Sequence, residues 1–161
     1  MDAERHEVDK WDLVIAHPPC TYMSNAGACR MYPHKGQIDK DRYAKAMAAK
    51  EFFMQFYNFH CDRVAVENPL PMKNIELPKP TQIIQPYEFG EPYSKKTLLW
   101  LRGLAPLKPT KILSDYIPWI ASNTGAFSRG QGGSRGVART AQLRSKTFAG
   151  IAEAMAEQWG G

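Results

Sequence analysis

Cysteine is scarce in this chain, long apolar runs are absent, and one extended stretch carries no acidic residue. Three cysteines in 161 residues, an odd number at irregular spacing, do not make a disulfide framework. The longest apolar runs, residues 13–16 and 97–101, fall far short of a membrane span. The opening Met-Asp-Ala-Glu-Arg-His-Glu is too charged for a signal peptide. These absences predict a reduced, cytoplasmic protein with no membrane partner. The length suits one domain, residues 1–161, with a proper core and leaves too little for two. Hydrophobic content of 43% and charged content of 23% are ordinary for a globular protein.

The acid-free stretch lies between Tyr116 and Ala152 and holds Arg129, Arg135, Arg139, Arg144 and Lys146. Without these five of the 21 Lys and Arg, the remaining basic side chains would match the 16 acidic ones. The net charge of +5 therefore sits in one glycine-rich segment. Such a segment suits either contact with a phosphate backbone, DNA above all, or a solvated loop.

Two short runs end in chemistry. Residues 12–20 read Asp-Leu-Val-Ile-Ala-His-Pro-Pro-Cys, and residues 63–69 read Arg-Val-Ala-Val-Glu-Asn-Pro. Each is a brief apolar run of the kind a buried parallel strand makes. Between them, Tyr43, Met47, Phe52, Phe56 and Phe59 recur at helical spacing over 41–60, with Asp39 or Asp41 as the cap. Strand, helix and strand make one parallel unit. Proline-dense residues 69–80 cannot be regular, 81–85 and 97–101 predict further strands, and 104–120 is irregular. Residues 148–159 predict a closing helix with Ile151, Met155 and Trp159 on one face.

In an open α/β sheet, ligands bind beyond the carboxyl ends of the strands. Cys20 and Glu67 would both arrive there. The prolines Pro18 and Pro19 stiffen the turn that carries the thiol, and Asn68 and Pro69 shape the turn beside the carboxylate. A thiolate is a nucleophile only once its proton is gone, so a cation or a helix N-terminus must lower the thiol pKa. The plain alternative for Cys20 is a buried structural cysteine. For Glu67 it is a salt bridge to Arg63 or Lys95. His17, Cys20, Cys29 and His34 offer zinc-type ligands, but their spacing matches no finger, and the reading includes no metal.

Pro-Pro-Cys followed by Glu-Asn resembles the catalytic core of DNA cytosine-5 methyltransferases, and the whole chain is similar to compact methyltransferase-like proteins of phages and prophages. The resemblance implies that Cys20 attacks C6 of a flipped cytosine while Glu67 hydrogen-bonds N3 and the exocyclic amine. It extends to Gly90-Glu-Pro-Tyr-Ser-Lys-Lys-Thr97. There Tyr93 stands where the family has glutamine, and Lys95 stands on the first arginine of the family's pair, implying contact with base or phosphate. Residues 104–146 match the family's variable recognition region. The implied fold is α/β: a partial doubly wound, Rossmann-like, mostly parallel sheet flanked by helices, with the basic glycine-rich segment irregular. The family also begins with a Phe-x-Gly-x-Gly loop that holds S-adenosylmethionine, and no counterpart occurs here. The resemblance therefore implies an enzyme truncated at its N-terminus, its cofactor lobe supplied by a second protomer, a separate subunit or upstream coding sequence. The other reading is a non-catalytic remnant that binds nucleic acid or a nucleotide, or inhibits another protein.

Overall fold

The computed structural model describes residues 10–120, 138 and 141–161. Two strands start the sheet, β1 (Val14–Ala16) and β2 (Val64–Asn68), and they pair in parallel with Ala16 opposite Val66. The connection runs through a short helix α1 (Ala28–Met31) and the long helix α2 (Lys40–Tyr57). Of the two candidate caps, Asp39 starts α2, its carboxylate accepting from the Arg42 backbone N–H at 2.8 Å. Strand β1 begins at Val14, later than the apolar run suggests, and leaves Trp11 half exposed.

Three short strands follow: β3 (Gln82–Ile84), β4 (Tyr93–Ser94) and β5 (Thr97–Arg102). The sheet order is β1-β2-β5-β3, and both β2–β5 and β3–β5 are antiparallel. The sheet is thus mixed, with the expected parallel part confined to β1 and β2. Its second half reverses because residues 69–96 hold only two short strands, loops and single helical turns, too little helix to carry a parallel crossover. A separate two-stranded ribbon pairs β4 with β6 (Ile117–Pro118). The chain closes with a short helix α3 (Ala141–Arg144) and α4 (Ala149–Trp159).

Strand alternation divides the core in two. Val64, Val66, Leu98 and Trp100 face α2 and pack with Phe53, Met23 and Met31. Ala65, Leu99 and Leu101 face the other way and pack with Phe148, Ile151, Met155 and Trp159 from the α4 side. The aromatic of α2 that seats on the sheet is Phe53, set edge-on against Trp100 at 5.0 Å, whereas Phe52 is exposed. Of the expected stripe, Tyr43, Met47 and Phe56 pack against this core, whereas Phe52 and Phe59 are exposed. On the far side, α4 lies so close to the loop before β4 that a Cβ on Gly150 would stand 2.0 Å from the Phe89 carbonyl. Only glycine permits that approach.

The irregular residues 104–116 are held by side-chain amides in place of a strand. Gln82 gives and takes hydrogen bonds with the backbone of Leu107, both 2.8 Å. Gln158 of α4 does the same for Lys108 at 2.9 and 2.8 Å. These bonds satisfy backbone groups that no ladder reaches. Among the described residues, no helix is long and apolar enough to cross a membrane.

Candidate active site

The parallel pairing of β1 and β2 fixes the site. One residue past Ala16 and Val66, the two strands deliver His17 and Glu67 side by side on the α4 face. His17 Nδ1 lies 3.0 Å from Glu67 Oε2. An ionised carboxylate only accepts, so Nδ1 is the donor in this contact. The sequence shows His17 only as a zinc-type ligand. Its place beside Glu67 follows once the two strands are paired in parallel.

Buried Asn68 ties the turn that bears the thiol to β2. Its Nδ2 donates to the Pro18 carbonyl at 2.8 Å and to the Glu67 carbonyl at 2.9 Å. Pro18 is buried and Pro19 exposed, while Pro69 is half-buried. After the prolines the chain turns tightly, with the Met23 and Ser24 N–H groups both donating to the Cys20 carbonyl. Arg42 of α2 secures the same loop, its Nη2 donating to the Thr21 carbonyl at 3.0 Å.

Cys20, Glu67 and Lys95 are close enough to act on one another electrostatically. Burial pushes the Cys20 thiol above its ordinary range, and the Glu67 carboxylate pushes it further, while a backbone N–H and the Lys95 ammonium pull it down. The net direction is upward, opposite to the lowered thiol that the sequence suggests. The reason is that the half-buried thiol faces an acid as well as a cation. Burial likewise lowers Lys95, against the upward pull of Glu67 and Cys20. Lys95 Nζ donates to the Lys146 carbonyl at 3.1 Å and sits 5.9 Å from the Phe148 ring centre.

His17, Glu67, Lys95, Thr97 and Lys146 line a cleft floored by Phe148, Ile151 and Met155. As it stands the cleft has about 10 Å³ of room, enough for roughly one water. A ring-sized ligand would need the segment at Lys146 to withdraw, breaking its bond with Lys95. A larger hollow of about 450 Å³ lies at the other end of β1 and β2, between Leu13, Arg63 and Trp159.

The salt bridge considered for Glu67 with Arg63 does not form, because Arg63 donates to the Trp159 and Gly161 carbonyls and anchors the end of α4. Tyr93 packs against Trp119 and Phe148, at 4.7 and 5.7 Å between ring centres. Its neighbours are thus aromatic core residues. Of the five basic residues, Arg129, Arg135 and Arg139 lie outside the described residues. Arg144 is exposed, and Lys146 reaches over Trp119 and Phe148 at the mouth of the cleft. All three cysteines are free, Cys29 exposed and Cys61 buried, and among the described residues no three His, Cys, Asp or Glu side chains converge as a metal would require. Neither protein-family models, nor curated proteins, nor solved structures give a match to this chain.

Proposed function

We propose that the chain forms the base-activating half of a DNA cytosine-5 methyltransferase-like enzyme. The observation that carries this reading is that Glu67, one residue beyond the paired part of β1 and β2, lines one cleft with Lys95 and acts electrostatically on Cys20. Cytosine C5 is a poor nucleophile until the ring loses its aromaticity. Addition of sulfur at C6 achieves this. The Cys20 sulfur bonds C6, the displaced π electrons move through C5 and C4 to N3, and N3 takes a proton. Overall, S–H adds across the ring, with Glu67 carrying the proton from thiol to N3. Elimination reverses the same steps. A raised thiol suits this balance, because the nucleophile stays protonated until the acceptor of its proton is in place. Lys95, once released from Lys146, is the cation available to base or phosphate.

The described residues do not make a cradle for S-adenosylmethionine. No glycine-rich turn follows any described strand, and β1 is an edge strand with no described neighbour on its outer side. No step is routed through the methyl donor, which a second protomer or a separate subunit would hold. The raised thiol and the closed cleft also favour a second reading, a remnant that binds nucleic acid without chemistry.

Capture by a 5-azacytosine duplex separates the two, because this ring accepts sulfur at C6 without prior methyl transfer. Denaturing electrophoresis should show a covalent protein–DNA species for the native chain. Cys20→Ser should abolish it, and Glu67→Gln should reduce it at least about tenfold, as expected of a lost proton carrier. A chain that binds the duplex yet gives no adduct is the remnant.

A further inference from the structure

We infer that residues 142–147 are a strap latched over the Glu67 cleft, and that a phosphate group releases it by drawing the Lys95 and Lys146 ammoniums from their present contacts. The inference rests on the proposed function only in naming nucleic acid as the source of that phosphate.

The latch is a charge held by a neutral group. Lys95 Nζ donates to the Lys146 carbonyl at 3.1 Å, while Glu67, the carboxylate lining the same cleft, is paired with His17 at 3.0 Å. Among the described residues, neither Lys95 nor Lys146 forms an ion pair. Both ammoniums sit instead by the Phe148 ring, each 5.9 Å from its centre, and Lys146 also lies 5.8 Å from that of Trp119. Two like charges beside one ring repel, and an anion set between them is held by both. A phosphate oxygen is also a stronger acceptor than a carbonyl, because the bond then joins two charges. The backbone adds to the field. Helix α4 begins at Ala149, and Phe148 in its capping position offers no side-chain acceptor. Gly150 in its first turn reaches Glu91 Oε1 at only 3.3 Å. A helix N-terminus capped so lightly favours an anion.

The strap itself is lightly held. Residues 142–147 are all exposed, whereas Phe148, which follows them, is buried. Besides the Lys95 bond, Trp119 Nε1 donates to the Leu143 carbonyl at 3.0 Å and Arg144 Nε to the Ala138 carbonyl at 3.4 Å. A segment with little buried surface and few bonds opens at low free-energy cost. Phe148 is then the fixed point, and the strap swings from it to widen the 10 Å³ of room beside Glu67 and Lys95. Closed, the strap keeps the carboxylate covered until an anion arrives.

The test is the rate of trypsin cleavage after Arg144, read by mass spectrometry against cleavage after Lys35 in an exposed turn. Lys95→Met should speed it roughly threefold or more through loss of the latch. Lys146→Met keeps the carbonyl and removes the repulsion, so it should slow cleavage. This second variant alters only an exposed side chain, and it tests the latch with the opposite sign if Lys95→Met disturbs packing. Bonds after Lys45 and Lys50, inside α2, stay uncut where the fold is intact. Inorganic phosphate in place of chloride at equal ionic strength should speed cleavage of the native chain roughly threefold and leave Lys95→Met unchanged. A deoxycytidine dinucleotide, with its one phosphodiester, acting at lower concentration than inorganic phosphate marks nucleic acid as the source, and the reverse order marks a free phosphate. If both variants cleave like the native chain, or chloride matches phosphate, there is no phosphate latch, and capture by the 5-azacytosine duplex still tests the proposed function on its own. A latch that responds in a chain giving no adduct leaves this inference standing and overturns that function.

Discussion

Neutralising Arg129, Arg135, Arg139, Arg144 and Lys146 together should flatten the salt dependence of DNA binding. Each phosphate contact releases condensed counterions, so five contacts give a logarithmic slope of about −4.5 against salt. Between 50 and 200 mM salt that slope corresponds to a fall of roughly 500-fold in affinity for the native chain. The variant should bind weakly at low salt and lose little more as salt rises. Filter binding or fluorescence anisotropy across a salt series measures both slopes. A native slope near zero, or equal slopes for the two chains, would remove the segment from any role in holding DNA. Lys146 is placed for a second duty, because it stands at the mouth of the cleft with its carbonyl held by Lys95. Lys146→Gln alone should therefore cost about one unit of slope.

Phe53→Ala should destabilise the chain by about 3–5 kcal/mol, a loss of roughly 150- to 5,000-fold in the folding equilibrium. Phe53 is wholly buried, and its ring meets Trp100 edge-on at the centre of the sheet. Truncation leaves a cavity that a sheet and a helix already in contact cannot close. Phe52→Ala, one residue away, should cost less than about 1 kcal/mol, because that ring is 44% exposed and only edges Phe56. Chemical denaturation of the two variants gives the comparison directly. Equal losses would mean that α2 is rotated from the orientation described.

That pair also shows where sequence reasoning works and where it stops. The apolar runs around Val66 and Leu99 mark strands to within about a residue, because a short run of branched and aromatic side chains flanked by proline has few other uses. The spacing of aromatics in α2 reveals a helix but mistakes Phe52 for its seat on the sheet. Helical period fixes which residues share a face, and only the partner surface decides which face is buried. Strand direction is similarly hidden: nothing within residues 97–102 says that β5 runs antiparallel to β2. Glu67 stands out in the sequence because a carboxylate at the end of an apolar strand is costly without a partner, whereas Cys20 and Lys95 stand out chiefly through the resemblance. The pairing of His17 with Glu67 is hidden because it depends on register, a relation between strands that no single segment contains. The direction of the Cys20 shift escapes for the same reason, since it depends on how deeply the thiol sits and on which neighbour outweighs the other.

The edge position of β1 has a consequence for how the chain reports its own assembly. The Val14 N–H bonds the Arg63 carbonyl, so in a parallel pair the groups of Val14 and Ala16 turn toward β2 and those of Ile15 turn outward. Amide hydrogen exchange along this strand should therefore alternate residue by residue, slow at Val14 and Ala16 and fast at Ile15. Docking of another strand against this edge would slow Ile15 alone. One backbone amide thus serves as a clock for completion of the sheet, readable while the nucleophile a few residues downstream is left untouched.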